Sequence, residues 1–393
     1  MDYDLIIVGG GLAGSSLGAA LAREGRHVLI VEREAVFRDR VRGEGMLPWG
    51  ADEAQKLGIY KILAENCAHP VRWLTAPDSS RDLLETTPWR LGFLNFHHPE
   101  MQQCLLDAAV ECGAEVLRPA EVIAVSPGNI PSAVIRTDGG EREVTARLLV
   151  GADGRNSRVR SSVGFQVERD HEYLNTAGVL YRNLSLPDDA VQMLINPDQQ
   201  KLSILFPIGR GRVRAYLCYR HDALPDFNGE RDQTRFVATS VTVGAKADWF
   251  ENAEPIGPLA SFSGADCWAT HPYRGGVVLV GDAAAASDPA FGCGLSLTLR
   301  DVRVLRDHLL EETDWLKAAD AYGGEHNTYY SALHNIHDLW RDLFFDVGDA
   351  AKALRQRALP LIGRDSTRMI DFIGLGPEAP CDEAACRRFF GEQ

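Results

Sequence analysis

The 393-residue chain is short of the features that mark several large protein classes. No stretch approaches the ~18 consecutive apolar residues of a membrane-spanning helix, so no membrane span is expected. Its eight cysteines (67, 104, 112, 218, 267, 293, 381 and 386) form no C-x-x-C pair and no Cys/His metal spacing. That excludes a legible disulfide framework or zinc site, and the expectation is a reduced, cytoplasmic protein with no metal. The start, Met1-Asp2-Tyr3-Asp4, is acidic and enters a short apolar run at once, whereas a secretory leader begins basic and carries a longer one. Positive charge is in deficit: 41 Lys and Arg stand against 55 Asp and Glu, a net charge of −14. A surface that acidic repels phosphate backbones, so nucleic acid is not an expected partner. Repeats and low-complexity tracts are also lacking.

What is present is ordinary globular material. The chain is 45% hydrophobic and 24% charged, which excludes global disorder. At a prior of roughly 150 residues per domain, it holds two to three domains, or one α/β body with insertions. Leu5 to Val8 reads as a buried strand, Leu12 to Arg23 as an Ala/Leu-rich helix, and His27 to Val31 as a second strand. A helix is expected from about 100 and a hairpin at 133–150, around the Asp138-Gly139-Gly140 turn. From about 171 to 267 alternating strands and Pro/Asp-rich loops predict a separate antiparallel sheet. Near 277 an apolar strand returns, and the tail beyond 300 reads as mostly helical.

Three motifs carry chemistry. Gly9-Gly10-Gly11-Leu12-Ala13-Gly14 is a G-x-G-x-x-G between strand and helix. Gly9 permits the tight turn, Gly11 lets a pyrophosphate approach, and Gly14 lets helix and strand pack closely. Phosphates then sit at the positive end of the helix. Glu32, at the end of the second strand, can bind both hydroxyls of an adenosine ribose; an acid there favours FAD or NAD over a 2′-phosphate. The second motif is Gly151-Ala152-Asp153-Gly154-Arg155 with Ser157 and Arg158, which as a bare pattern also fits a plain strand-ending turn. The third is Gly281-Asp282-Ala283-Ala284, then Asp288-Pro289, then Gly292-Cys293-Gly294-Leu295. Here an Asp at a strand end can hold a sugar-alcohol hydroxyl, and glycines at a helix start present free N–H groups. An ordinary strand–loop–helix connection is the other reading.

Together, in order and spacing, the motifs resemble the class A flavoprotein monooxygenases, the para-hydroxybenzoate hydroxylase-like family. The likeness covers about 1–75, 98–165 and 270–310. It implies an α/β fold: a Rossmann-like FAD-binding domain (1–75, 98–170 and 268–330), an inserted, mainly antiparallel substrate sheet (76–97 and 171–267) and a C-terminal helical segment (331–393). It implies FAD on the first motif, Asp153 and Gly154 serving FAD and NADPH or NADH, and Asp282 on the ribityl chain. Pro289 and Gly292, Gly294 and Leu295 would lie against the flavin ring. Arg42 and either His98 or Gln102 match flavin-contacting positions, and Leu12, Ala13, Arg33 and Val122 complete the cofactor set. The implied reaction is hydroxylation of a small electron-rich, aromatic substrate by O₂ through a flavin C4a-hydroperoxide. Ala285 stands where many members carry His, and Ser296 where Asn is common.

The same fold serves epoxidases and halogenases fed by a separate flavin reductase, isoprenoid reductases, and carriers with a degenerate site. The chain has no W-x-W and no Lys in 70–97, features of tryptophan-type halogenases. It has no second G-x-G-x-x-G for a separate nicotinamide domain, and no G-x-S-x-G elbow. Cys293 reads as a small loop residue, and His97, His326, His334 and His337 as packing. Tyr181, Phe206, Tyr216 and Trp268 are candidates for the substrate wall; the alternative is sheet core.

Overall fold

The computed structural model describes residues 1–77 and 79–392. Its first sheet is built around Tyr3–Val8, apolar at nearly every position and buried on both faces, as a strand covered on both sides by other elements must be. Val28–Val31 pairs parallel to it on one side and Gly140–Gly151 on the other. Glu115–Leu117 and Val277–Leu279 extend the parallel set at its two flanks. Glu121–Ser126, Ser132–Thr137 and the first half of Gly140–Gly151 form an antiparallel meander, with Asp138 and Gly139 turning the last hairpin. Helix Leu12–Arg23 is buried almost all round, between the sheet and helices His98–Glu111 and Gly294–Glu311. Only small side chains allow that: a Cβ on Gly18 would fall 2.6 Å from Ile30.

The second sheet runs, in spatial order, Glu254–Pro255, Leu174–Arg182, Arg212–Arg220, Lys201–Pro207, Ala190–Asn196, Trp73–Ala76 and Ser79–Asp82. It is antiparallel except where Ala190–Asn196 meets Trp73–Ala76. Period-two alternation sorts its side chains. Ala177, Val179, Tyr181, Leu205, Leu217 and Tyr219 pack under helix Gln233–Val243 through Phe236 and Val243. Ile204, Phe206, Tyr216 and Cys218 point the other way, into the core shared with the first sheet.

That alternation corrects one substrate-wall candidate. Tyr181 lies on the far face, its hydroxyl donating to Gln233 Oε1 at 3.0 Å. Trp268 is also misplaced: its strand, Cys267–Ala269, pairs with Ala285–Ala286, and its ring packs on Tyr330 and His334. Two expected domain limits also move. The limit after 75 cuts strand Trp73–Ala76, which belongs to the second sheet, while Phe93–Phe96 pairs with Gly45–Met46 and Ala68–Val71 outside it. The limit after 330 falls inside the 30-residue helix Trp315–Phe344. That helix starts at Asp314, whose side chain accepts from the N–H of Leu316 and Lys317, a cap that fixes a helix start more firmly than any change in composition. Among the described residues no helix is long and apolar enough to cross a membrane.

Candidate active site

Four parallel strands end on the same side of the first sheet, and each delivers a motif. Tyr3–Val8 leads into Gly9–Gly14, Val28–Val31 into Glu32, Gly140–Gly151 into Asp153-Gly154, and Val277–Leu279 into Asp282. This is the crevice at the carboxyl ends of an open α/β sheet, where ligands bind in such folds. It opens into a cavity of about 850 Å³ that runs on beneath the second sheet, within the ~300–1,000 Å³ typical of ligand and cofactor sites.

At the first turn, Gly9 sits at φ +108°, and a side chain there would overlap the Ala152 carbonyl. Gly14 lies outside the cavity, and a Cβ on it would overlap the Gly9 carbonyl, so it serves the strand–helix contact alone. A Cβ on Gly11 would project toward Gln102 on the cavity wall, 3.4 Å from its Nε2. Among the described residues no side chain caps helix Leu12–Arg23, so N–H groups of its first turn are left for a ligand. Helix Gly294–Glu311 likewise starts uncapped at the cavity. Two helix starts therefore direct their positive ends at one space.

The carboxylates are held in place from behind. Glu32 is buried, and its oxygens accept from the N–H of Gly10 and of Glu34, each at 2.7 Å. Among the described residues it has no ion-pair partner, which leaves lone pairs for hydroxyl donors. Asp153 Oδ2 accepts from the N–H of Arg158 and Val159, while among the described residues Oδ1 is buried without a partner. This motif is thus a structural turn with one free carboxylate oxygen. Burial pushes the Asp282 carboxyl up, opposed by the nearby Arg155, Arg42 and His98. Arg160 braces both loops, donating to the carbonyls of Asp282, Ala283 and Arg155. Asp301 accepts from the N–H of Gly281 at 2.7 Å and from Tyr329 and His326, anchoring the turn that carries Asp282. His98 Nδ1 lies 2.9 Å from the Gly43 carbonyl, and burial pulls its pKa down.

Of the sequence candidates, Gly9, Gly11, Leu12, Ala13, Glu32, Arg33, Arg42, His98, Gln102, Val122, Asp153, Gly154, Asp282, Pro289, Gly292, Gly294, Leu295, Phe206 and Tyr216 all line this cavity. Gly14, Tyr181 and Trp268 do not. Sequence reasoning missed Glu44, Thr176, Ile204 and Phe262, which line the part beneath the second sheet. Glu44 carried one usable signal, a charge set between Gly43 and Gly45 beside Arg42. The departure at Ser296 has a steric cause: it is buried, accepts from the Leu47 N–H at 3.1 Å, and its hydroxyl occupies the space a Cβ on Gly50 would need.

The remaining nucleophile and ligand candidates face inward. Cys293 is buried 3.3 Å from His337 Nε2, and burial pushes its thiol up while holding His337 down at about 3; such a thiol is inert. Among the described residues one group has metal-like spacing, Asp170, His334 and Asp338. His334 already bonds Asp170 at 2.9 Å, and Arg341 bonds Asp338.

With this geometry in view, the comparisons with known proteins are decisive for the family. Residues 2–323 match the FAD binding domain family. The chain belongs to that family. Mouse squalene monooxygenase is 25% identical over 349 residues, covering 84% of this chain and 59% of the relative, so the chain spans less than two thirds of that protein. Kynurenine 3-monooxygenase of Salinispora tropica is 27% identical over 401 residues, covering 90% and 84%. The solved p-nitrophenol 4-monooxygenase of Pseudomonas putida superposes with a TM-score of 0.79 at 17% identity, covering 97% of this chain and 99% of that one. The class A resemblance and its fold are borne out.

The cavity fits FAD on its own evidence. It joins two uncapped helix starts, a glycine turn open to a diphosphate, a buried carboxylate without a cation, and Asp282 on one wall. The helix starts suit anions, and the carboxylates suit hydroxyl groups.

Proposed function

We propose that the protein is an FAD-dependent oxidoreductase that hydroxylates a small electron-rich, aromatic substrate, with NADPH or NADH as reductant and O₂ as oxidant. The observation that carries this reading is the continuity of the cavity. It passes from the dinucleotide crevice to a compartment under the second sheet whose apolar walls are Ile204, Phe206 and Phe262. Bound FAD would supply the redox chemistry, accepting hydride and activating O₂.

The chain's own groups bind, orient and shield. Helix Leu12–Arg23 and Glu32 would hold the diphosphate and adenosine ribose, and Asp282 the ribityl chain. The N–H groups at Gly294 and Leu295 would favour negative charge at the ring edge. Apolar walls keep water from the reacting centre. No nucleophilic side chain is required.

The test is anaerobic: FAD-loaded protein is mixed with NADPH, then NADH, and the visible flavin band is followed, without and with candidate aromatics. Bleaching supports a self-sufficient hydroxylase. No bleaching under any of these conditions moves the reading to an epoxidase served by a separate reductase, which the likeness to squalene monooxygenase favours as second choice.

A further inference from the structure

The substrate end of the cavity has a hydrogen-bonding polarity set from behind. Tyr216 projects from strand Arg212–Arg220, and its cross-strand partners are Gly178 on one side and Ile204 on the other. A Cβ on Gly178 would lie 2.5 Å from the Tyr216 ring, so the glycine gives the ring its place. Phe206 meets the ring edge-on at 6.2 Å. The Tyr216 hydroxyl donates to Glu44 Oε2. Glu44 and Arg214 are both fully buried, and Arg214 bridges Glu44 at 3.1 Å and Asp39 at 2.7 Å.

Two consequences follow from these contacts. A hydroxyl has one proton, and that of Tyr216 is committed to a buried carboxylate, leaving its oxygen lone pairs for the cavity. Thr176, its neighbour on the wall, commits its proton in the same way, donating to Cys218 Sγ at 3.4 Å. Second, the buried Arg214 guanidinium behind the ring is already shared between two carboxylates, Glu44 and Asp39. Burial and Glu44 hold the Tyr216 pKa far above its usual value, so its proton stays in place. A carboxylate seated against the Tyr216 oxygen would meet lone pairs there, and a hydroxyl or N–H would meet an acceptor.

Resting on the monooxygenase reading, we propose that Tyr216, oriented by Glu44 and Arg214, is the specificity-determining acceptor of the substrate compartment. The ligand end seated against it is a neutral hydrogen-bond donor, a hydroxyl or ring N–H flanked by apolar carbon. Ring carboxylates are rejected.

Three ligands of nearly the same shape test this: 2-naphthol, 2-methoxynaphthalene and 2-naphthoate, titrated into the purified protein by their own fluorescence. Retained flavin is scored first, and its absence counts against the monooxygenase reading without touching this one. The naphthol is expected to bind about tenfold or more tighter than the ether, and tighter still than the carboxylate. Tyr216→Phe should level naphthol and ether. Glu44→Gln should invert them, because an amide N–H donates to the Tyr216 oxygen and turns the hydroxyl proton toward the cavity. A purely structural role would not move that preference. Equal binding of all three ligands to the parent protein, tighter binding of the carboxylate, or no binding of any overturns the proposal, whether or not the variants fold.

Discussion

Glu32 illustrates how much one side chain is asked to do at the residue scale. Its two backbone hydrogen bonds orient it without neutralising it, and hydrogen bonds to a charged group are worth roughly 1.5–3 kcal/mol. Glu32→Ala is therefore expected to weaken FAD binding roughly 10- to 100-fold in a flavin-fluorescence titration; unchanged affinity would misplace the adenosine end of the site. Asp288 makes a prediction about pH. Burial, then the neighbouring Asp266, raise its carboxyl to about 8, while Asp266 itself is raised to about 6. A group protonated in the fold and ionised in the open chain stabilises fully below its unfolded pKa, and that contribution is lost as pH rises through the folded value. From about pH 4 to about pH 8 the urea midpoint of Asp288→Asn should therefore rise steadily relative to that of the parent, because the variant lacks this loss while the other titrating groups, His337 among them, act on both proteins alike. Each tenfold change in a proton-binding constant is worth about 1.4 kcal/mol, so the two profiles should differ by an amount on the order of a few kcal/mol. Parallel profiles would show that Asp288 is ionised throughout. Neither Asp288 nor Glu44 could be ranked from the sequence, because burial is a property of what other segments place around a residue.

Elements were more legible than residues, and helix contacts less so. The glycine turn, Leu12–Arg23, the 133–150 hairpin and the change to antiparallel strands all follow from local period and turn chemistry, which act over a few residues. The close crossing of Pro48–Lys56 and Gly294–Glu311 does not, since Gly50 and Ser296 are 246 positions apart in the numbering. A methyl group at Gly50 has no room against the Ser296 hydroxyl. Gly50→Ala should lower stability by about 1–3 kcal/mol, read as a denaturant midpoint, and an unchanged midpoint would mean that the crossing is loose. Asp314→Ala removes a cap far from the cavity and should cost about 1 kcal/mol while FAD affinity holds. Asp314 separates helix stability from cofactor binding; Gly50 tests the packing that carries the second helix start.

At the scale of the molecule, the cavity lies between two sheets that otherwise share one core. A ligand that fills it binds the folded chain and not the open one. FAD at about 100 times its Kd should therefore stabilise the fold by about 2.7 kcal/mol, seen as a rise in Tm in a thermal melt; no rise would argue that the cavity is not its site. The sequence by itself determined the family, the order of the three motifs, the dinucleotide crevice and an acidic surface without a membrane-spanning helix. Those are written in short-range pattern and composition, so no fold is needed to see them. Tertiary structure alone decided which aromatics face the substrate, where the strand and helix limits fall, and that Glu44 from the first region meets Tyr216 from the second sheet. The reason is physical: a strand shows which residues share a face but not which face is inward, and a buried charge network is assembled by contacts between segments far apart in the chain.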